Sequence, residues 1–198
     1  MLDSHAAVVA LCRVERAAEL RTYTYHNRYS VDVTVPRQKY DDPYRNVAAI
    51  MINMMLQGHQ PIIYGDGTQK RCFSFVQDVA PYLYRLAFAD SVVGQVINLG
   101  PDEEFVTINE LAATIADLLE FHLEPRYFAD RPREVYMATC SAQKARRLLG
   151  YKTTYSLRDG LMEMIAWIRE GGPKPFEYHL NLELITDKTP NTWTQRLF

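Results

Sequence analysis

Hydrophobic and polar positions follow two different periods along this chain, which predicts a mixture of helices and strands. In several long segments apolar residues recur every three or four positions, as in helices with one buried face. Helices are predicted over residues 6–28, 47–56, 77–89, 107–119, 141–149 and 156–170. Strands are predicted over the short apolar runs 31–35, 61–64, 95–99 and 124–128. Alternating strands and helices indicate an α/β fold.

Local signals define some of the element boundaries. The sequence Thr107-Ile-Asn-Glu110 is a capping box, because the hydroxyl and the carboxylate can each satisfy an unpaired amide at the start of a helix. Two glycines in the segment 65–67 predict a tight turn, since glycine tolerates the positive φ that such turns need. Gly150 is expected to end the helix before it. The tail, 174–198, has no clear period and is expected to wrap over the surface.

Charge and composition exclude several classes of protein. The 198 residues carry 22 Lys and Arg against 24 Asp and Glu, so there is no long-range attraction for nucleic acid. The longest apolar stretch, 47–56, is too short to cross a bilayer. Cys12, Cys72 and Cys140 have neither metal-ligand nor disulfide-framework spacing. We therefore expect a cytoplasmic protein with no metal, no nucleic acid and no membrane partner.

Two polar clusters could carry chemistry. In residues 64–71, a glycine turn after a strand presents Gln69 and Arg71, which suits recognition of a phosphate and neighbouring sugar hydroxyls. The same pattern is also typical of a hairpin with a solvated tip. Residues 130–134 alternate acidic and basic side chains, as in a binding loop or a surface loop held by its own ion pairs. The pattern alone leaves both alternatives open.

The order of the motifs resembles one family. The motifs are Pro36-Arg-Gln38, Pro61 through Asp78, Val96-Ile-Asn-Leu-Gly100, Arg131-Pro-Arg-Glu-Val135, Ala142-Gln-Lys-Ala145, Leu149-Gly-Tyr151 and Ser156 through Leu161. This order resembles the C-terminal half of NAD-dependent sugar-nucleotide epimerases and dehydratases. These enzymes belong to the extended short-chain dehydrogenase/reductase family, which includes UDP-glucose 4-epimerase. The resemblance covers residues 15–198 and is strongest over 61–161.

The resemblance implies a truncated Rossmann-like α/β fold, mainly the C-terminal substrate-binding lobe. Residues 1–35 would be a remnant helix and strand of the cofactor domain. Residues 36–173 would form the nucleotide-sugar-binding region and include a Rossmann-type strand near 95–100. Residues 174–198 would be a C-terminal extension in which Trp193 covers the substrate lobe.

The resemblance also implies a set of substrate-binding residues. They are Tyr64, Gln69, Arg71, Arg133, Asn46 and Val47. Tyr64 lies where the family's strand lines the nucleotide base, and Gln69 and Arg71 lie where it meets the ribose and phosphate. Arg133 matches an arginine that reaches the diphosphate or ribose from the opposite side. The last two residues of the set occupy a loop-to-helix entry that touches the nucleobase.

The family's redox machinery is missing from the sequence. No glycine has the G-x-G-x-x-G spacing that brings a backbone close to a pyrophosphate. The family's catalytic Tyr-x-x-x-Lys pair falls at Leu11 and Glu15, and none of the 13 tyrosines has a lysine four residues later. The family's active-site segment before Pro36 is also missing. We therefore predict no catalytic residue and no cofactor bound by this chain alone, although the family uses NAD.

The sequence supports three functional hypotheses. The first is a nucleotide-sugar-binding portion of such an enzyme, with a UDP-hexose type of ligand and no catalytic activity of its own. The second is a non-catalytic interaction protein that forms a homodimer or pairs with a full-length relative through residues 6–28. The third is half of a split enzyme whose NAD domain comes from another chain. Exposed edges of the strands at 31–35 and 96–99 would favour self-association.

Overall fold

The structure is a computed structural model. It describes residues 33–34, 39–44, 46–89, 92, 95, 97–131, 134–137, 141–180, 189 and 191–198. The predicted helix 6–28, most of the strand predicted over 31–35, and Arg133 lie outside the described residues.

The described residues form an α/β arrangement, as predicted. The helices are α1 (Val47–Leu56), α2 (Val76–Phe88), α3 (Ile108–Leu119), α4 (Gln143–Leu149), α5 (Leu157–Gly171) and α6 (Asn191–Thr194). The strands are β1 (Val33–Thr34), β2 (Ile62–Tyr64), β3 (Lys70–Arg71), β4 (Ser74–Phe75), β5 (Val106–Thr107) and β6 (Arg126–Phe128). Within the described ranges, β1 pairs with β4, β2 with β6 and β3 with β5.

The chain divides into two compact units, each assembled from three stretches of sequence. The first unit comprises Met1–Val33, Cys72–Phe105 and Ala138–Leu157. The second comprises Thr34–Arg71, Val106–Met137 and Arg158–Phe198. Tyr64, Gln69, Arg71, Asn46 and Val47 all belong to the second unit.

The first unit packs α2 against α4 over a small apolar core. Ile97 and Leu99 are buried in that core together with Leu86 and Tyr151. The predicted strand over 95–99 is wrong for the residues described there, because Gln95 and residues 97–99 are not in a strand. The apolar pattern correctly indicated burial. A strand also needs a backbone partner, which a single stretch of sequence does not specify.

The second unit packs α1 against α3. The buried side of α1 is apolar and rich in methionine, and α3 contributes Leu111, Ala112 and Ile115, each fully buried. One buried polar residue interrupts α1. The side chain of Asn53 donates to the Lys174 carbonyl at 2.8 Å and accepts from the Lys174 amide at 3.0 Å. The amide pair satisfies Asn53 and fixes the start of the C-terminal tail on this helix.

The cap predictions are confirmed. The Thr107 hydroxyl accepts from the Glu110 amide at 3.0 Å, and a Glu110 carboxylate oxygen accepts from the Thr107 amide at 2.7 Å. The Thr107 amide and hydroxyl hold the pKa of the Glu110 carboxyl below its ordinary value. At the other predicted boundary, Gly150 ends α4 with a left-handed φ of 65°.

Two further observations concern membrane-spanning helices and metal-binding side chains. No helix among the described residues is both long enough and apolar enough to span a membrane. The described residues also contain no group of three or more His, Cys, Asp and Glu side chains that could hold a metal ion.

The capping box generates a stability prediction. Thr107→Ala removes the acceptor for the Glu110 amide, so the free energy of unfolding should fall by about 1 kcal/mol at neutral pH. Because the pKa of Glu110 is lowered, the difference from the wild type should shrink as the pH falls through that lowered pKa. Urea unfolding measures both effects. Thr114→Ala is the matched control, since its hydroxyl bonds only to the Glu110 carbonyl inside the helix. Equal losses in the two variants would contradict the capping role.

Candidate functional site

The turn after β2 is packed closely against the rest of the second unit. Gly65 and Gly67 have left-handed φ values of 65° and 74°. A Cβ at Gly65 would lie 1.9 Å from an Asp130 carboxylate oxygen, and one at Gly67 would lie 2.1 Å from the Asn109 side-chain oxygen. The positive φ values favour glycine at both positions, and a Cβ there would displace the ends of the Asp130 and Asn109 side chains. Asn109 holds the turn, because its backbone amide donates to the Gly67 carbonyl at 3.1 Å and its side-chain amide donates to the Asp66 carbonyl at 2.8 Å, while Asp66 and Thr68 stay exposed.

The buried side chain of Gln69 stabilises this turn through a hydrogen bond. Its side chain is buried, and its Nε2 donates to the Tyr64 carbonyl at 3.1 Å. The Gln69 carbonyl in turn accepts from the Ile108 amide at 3.2 Å. Gln69 therefore joins the strand end at Tyr64 to the start of α3, and its first role in this structure is to fix the geometry of the turn.

Arg71 connects β3 to the loop that follows β6. Its guanidinium is buried and donates to the Lys70 carbonyl at 2.9 Å and the Val135 carbonyl at 2.7 Å. It also forms an ion pair with Glu134, with 2.5 Å between Nη2 and Oε1. Charge-assisted hydrogen bonds of this kind are the strong ones in a protein of low local dielectric. Arg71 therefore fixes the 134–135 segment beside its own strand.

The backbone reinforces this placement. The Lys70 amide donates to the Tyr136 carbonyl at 2.7 Å, and Lys70 forms a parallel bridge with Met137. On its other side β3 pairs antiparallel with β5, with Lys70 opposite Thr107. Residues 134–137 thus lie along one edge of β3, so two segments more than sixty residues apart in sequence share one site.

Arg131 is a candidate binding residue that the sequence prediction did not single out. Its guanidinium lies over the Tyr64 ring, with 4.2 Å from Cζ to the ring centroid. Its Nε is buried and has no hydrogen-bond partner among the described residues. The resemblance assigns a binding role within the motif 131–135 to Arg133, which lies outside the described residues and stays a prediction. Only the three-dimensional contact with Tyr64 distinguishes Arg131, since the two residues are far apart in sequence.

Asn46 and Val47 form the entry to α1, as the pattern predicted. Asn46 has a φ of 52°, and its side-chain oxygen accepts from the Ala48 amide at 3.1 Å and the Ala49 amide at 3.4 Å. Asparagine adopts this left-handed conformation more readily than most residues. Val47 is half-buried as the first residue of the helix. Their predicted contact with a nucleobase stays a prediction.

The C-terminal segment lies against the same tyrosine. The Tyr64 hydroxyl forms a short hydrogen bond with Thr192 Oγ1 and accepts from the Thr192 amide at 3.3 Å. Thr192 is completely buried. The next residue, Trp193, packs edge-on against Tyr44, with ring centroids 5.2 Å apart. Tyr64 therefore meets Gln69, Arg131 and Thr192 through its carbonyl, its ring and its hydroxyl.

The chemistry of this site is that of binding. Arg71 and Arg131 offer guanidinium donors for anionic oxygens, and Glu134 offers a carboxylate that can accept from hydroxyls. The Tyr136 hydroxyl donates to Asp130 at 2.8 Å, and this hydrogen bond raises the pKa of Tyr136. The Tyr136 phenol therefore stays protonated at neutral pH and is not poised as a base.

A separate cleft of about 700 Å³ lies in the first unit. Arg146, one of the cations in its lining, pairs with Asp102 and Glu103. The Arg146 hydrogen bond also holds the pKa of Asp102 below its ordinary value. The charge of Arg146 is compensated in this way, and Lys152 is a second cation in the lining. Of the predicted site residues that the structure describes, none lines this cleft.

The contacts of Tyr64 generate a stability prediction. Tyr64→Phe removes the hydroxyl that holds Thr192 and leaves a buried threonine without that partner, so the free energy of unfolding should fall by about 1–2 kcal/mol. Tyr127→Phe is the matched control, because Tyr127 is 54% exposed and its hydroxyl donates to the side-chain oxygen of the half-buried Asn109 at 3.1 Å. That variant should stay within about 0.5 kcal/mol of the wild type. Urea unfolding curves that fail to separate the two variants would contradict the role given to Tyr64.

The chain is similar to enzymes that act on sugar nucleotides. It is 28% identical to the UDP-glucuronate 4-epimerase of Thermodesulfobacterium geofontis over 160 residues, which cover 79% of this chain and 49% of that protein. It is 30% identical to UDP-glucuronic acid decarboxylase 6 of Arabidopsis thaliana over 170 residues, covering 81% of this chain and 48% of that protein.

A solved structure with a similar fold is also an enzyme of this kind. The UDP-glucuronic acid 4-epimerase of Bacillus cereus, in complex with UDP-glucuronic acid and NAD, superposes with a TM-score of 0.65 at 26% identity. The match covers 75% of this chain and 48% of that one. The fold prediction is therefore confirmed as Rossmann-like and α/β, of the extended short-chain dehydrogenase/reductase type.

A family comparison agrees with these relatives. Residues 15–164 match the GDP-mannose 4,6 dehydratase family, which is most of the chain. The chain spans about half the length of the curated relatives it matches. It belongs to the family of NAD-dependent sugar-nucleotide epimerases and dehydratases.

Proposed function

We propose that this chain is the nucleotide-sugar-binding portion of an NAD-dependent sugar-nucleotide epimerase or dehydratase, and that its ligand is a UDP-hexose. The observation that carries the proposal is the contact between Arg71 and the 134–135 segment, which brings two family motifs to one site. Relatives that share this fold are named for UDP-sugar substrates. The ligand assigned here follows from that likeness and from the chemistry of the site.

The charges around Tyr64 favour a diphosphate. A dianion buried without cationic partners would be prohibitively costly. The charge of Arg71 is largely compensated by Glu134, so Arg71 alone adds little net attraction. Arg131 has no acidic partner among the described residues, and its guanidinium is positioned on the Tyr64 ring. In this proposal Arg131 supplies the net positive charge that attracts the diphosphate, and Arg71 adds N–H donors aimed at its oxygens. Arg133 is a further candidate for contact with the diphosphate.

The Arg71–Glu134 pair also suits the sugar part of a nucleotide. A carboxylate can accept several hydrogen bonds, so Glu134 can hold Arg71 and accept from a ribose hydroxyl at the same time. A donor and an acceptor side by side match a ribose next to a phosphate. In this proposal Gln69 acts mainly through the shape of the turn, because its Nε2 is already used by Tyr64.

The NAD of the family does not fit the residues described in this chain. A dinucleotide site needs glycines between a strand and a helix, so that the backbone can approach the pyrophosphate. Here β4 runs directly into α2 through Phe75 and Val76, with no glycine at the junction. We therefore propose that the chain on its own binds a nucleotide sugar without turning it over. Catalysis would need NAD-binding residues that this sequence does not contain.

Calorimetry tests the binding proposal. UDP-glucose and UDP should bind the full chain with measurable heat. Arg131→Gln should weaken the affinity at least tenfold, because it removes a charged hydrogen bond worth about 1.5–3 kcal/mol. Arg126→Gln is the matched control, since Arg126 also lies over an aromatic ring but is exposed on β6. No heat at millimolar ligand would contradict the proposal, and so would an Arg131→Gln variant that binds like the wild type.

We further propose that the chain pairs with a second copy of itself, or with a related chain that carries the NAD domain. On α2, Tyr84 and Phe88 are 69% and 72% exposed, and their rings lie 4.9 Å apart. Adjacent exposed aromatic side chains are typical of interaction surfaces. Light scattering should give a dimer mass that Phe88→Lys reduces to a monomer, whereas Met162→Lys, an exposed apolar control, leaves it unchanged. A monomer at every concentration would contradict the homodimer.

A further inference from the structure

The C-terminal segment carries a buried hydrogen-bond donor for which the described residues offer no partner. The indole Nε1 of Trp193 is buried and has no hydrogen-bond partner among the described residues. Buried donors in native proteins almost always have partners, because an unsatisfied one costs the full desolvation of the group. A buried N–H without a partner in the described part of the chain is therefore a candidate donor to a bound ligand.

The position of this indole is fixed by its neighbours. Thr192, immediately before it, is fully buried and bonded to the Tyr64 hydroxyl through both its own hydroxyl and its amide. The indole ring packs edge-on against Tyr44 at 5.2 Å. Tyr44 also meets the ring of Tyr178 at 6.0 Å. Trp193 therefore packs in a cluster of aromatic rings next to a fixed residue, Thr192, and these contacts set the direction of its N–H.

A second donor without a partner among the described residues lies against the same tyrosine, Tyr64. The Nε of Arg131 is also buried without a partner among the described residues, and its guanidinium lies on the Tyr64 ring. Tyr64 therefore organises both groups, one through its ring and the other through its hydroxyl and Thr192. An indole N–H and a guanidinium N–H are donors only, so a ligand that satisfies them must supply acceptor oxygens.

We propose that Trp193 is a ligand-contacting residue, whose indole N–H donates a hydrogen bond to an acceptor oxygen of the bound nucleotide. This inference rests on the proposed function, since it takes the nucleoside diphosphate as the ligand. A pyrimidine base offers carbonyl oxygens and the diphosphate offers phosphoryl oxygens, and both have the required chemistry. The C-terminal segment becomes part of the recognition site, with Thr192 as the positioning residue for Trp193.

Replacement of the indole N–H tests the contact. Trp193→Phe keeps an aromatic ring against Tyr44 but removes the donor, so the affinity for UDP should fall about two- to tenfold. Tyr127→Phe is the control, because it also removes one donor from an aromatic side chain, at a residue that is 54% exposed on β6. That variant should leave the affinity unchanged. Titrations with uridine and with pyrophosphate identify the acceptor oxygen. Trp193→Phe should bind more weakly than the wild type only to the half of UDP that accepts the indole hydrogen bond.

A spectroscopic measurement tests the same contact in a protein that keeps Trp193. In the Trp167→Phe protein, Trp193 gives the single indole N–H proton resonance. Saturating UDP should shift this resonance downfield, as expected when a hydrogen bond forms. If UDP binds but either the resonance stays in place or Trp193→Phe keeps its affinity, the inference fails while the proposed function stands. If the wild type binds no UDP, the proposed function fails first and the inference fails with it.

Discussion

The site depends on one ion pair largely removed from water, Arg71 with Glu134. Charges taken from water are costly, and they stabilise a fold only when their geometry is good and their other hydrogen bonds are satisfied. Arg71 meets this condition because its guanidinium also donates to the Lys70 and Val135 carbonyls. The pair fixes a loop from late in the sequence against β3. The 134–135 segment is thereby held in register with that strand by side-chain contacts as well as by the backbone.

Once the loop is fixed, Tyr64 becomes the centre of the site. Three different parts of the residue have three different partners: Gln69 at the carbonyl, Arg131 on the ring and Thr192 at the hydroxyl. Each partner comes from a different stretch of the second unit. Tyr64 therefore has mainly a positioning role. The groups that we propose for ligand binding are the ones that Tyr64 orients, above all the guanidinium of Arg131.

Local features were predictable from the sequence, and long-range contacts were not. Helix α1 has the predicted bounds, and the capping box at Thr107 begins α3 as expected, because apolar period and cap chemistry act within a few residues. The strand predicted at 95–99 was wrong for its described residues because pairing depends on a distant partner. Arg131 and Thr192 were missed for the same reason. Their importance comes from contact with Tyr64 across 67 and 128 positions, which no local pattern records.

The central claim is that one diphosphate is bound between the turn after β2 and the loop after β6. A crystal structure of the full chain with UDP-glucose tests it most directly. The diphosphate oxygens should lie within hydrogen-bonding distance of the Arg131 guanidinium, with the ribose beside Glu134. A diphosphate bound instead in the cleft at Arg146, or density at neither place with saturating ligand, would contradict the claim.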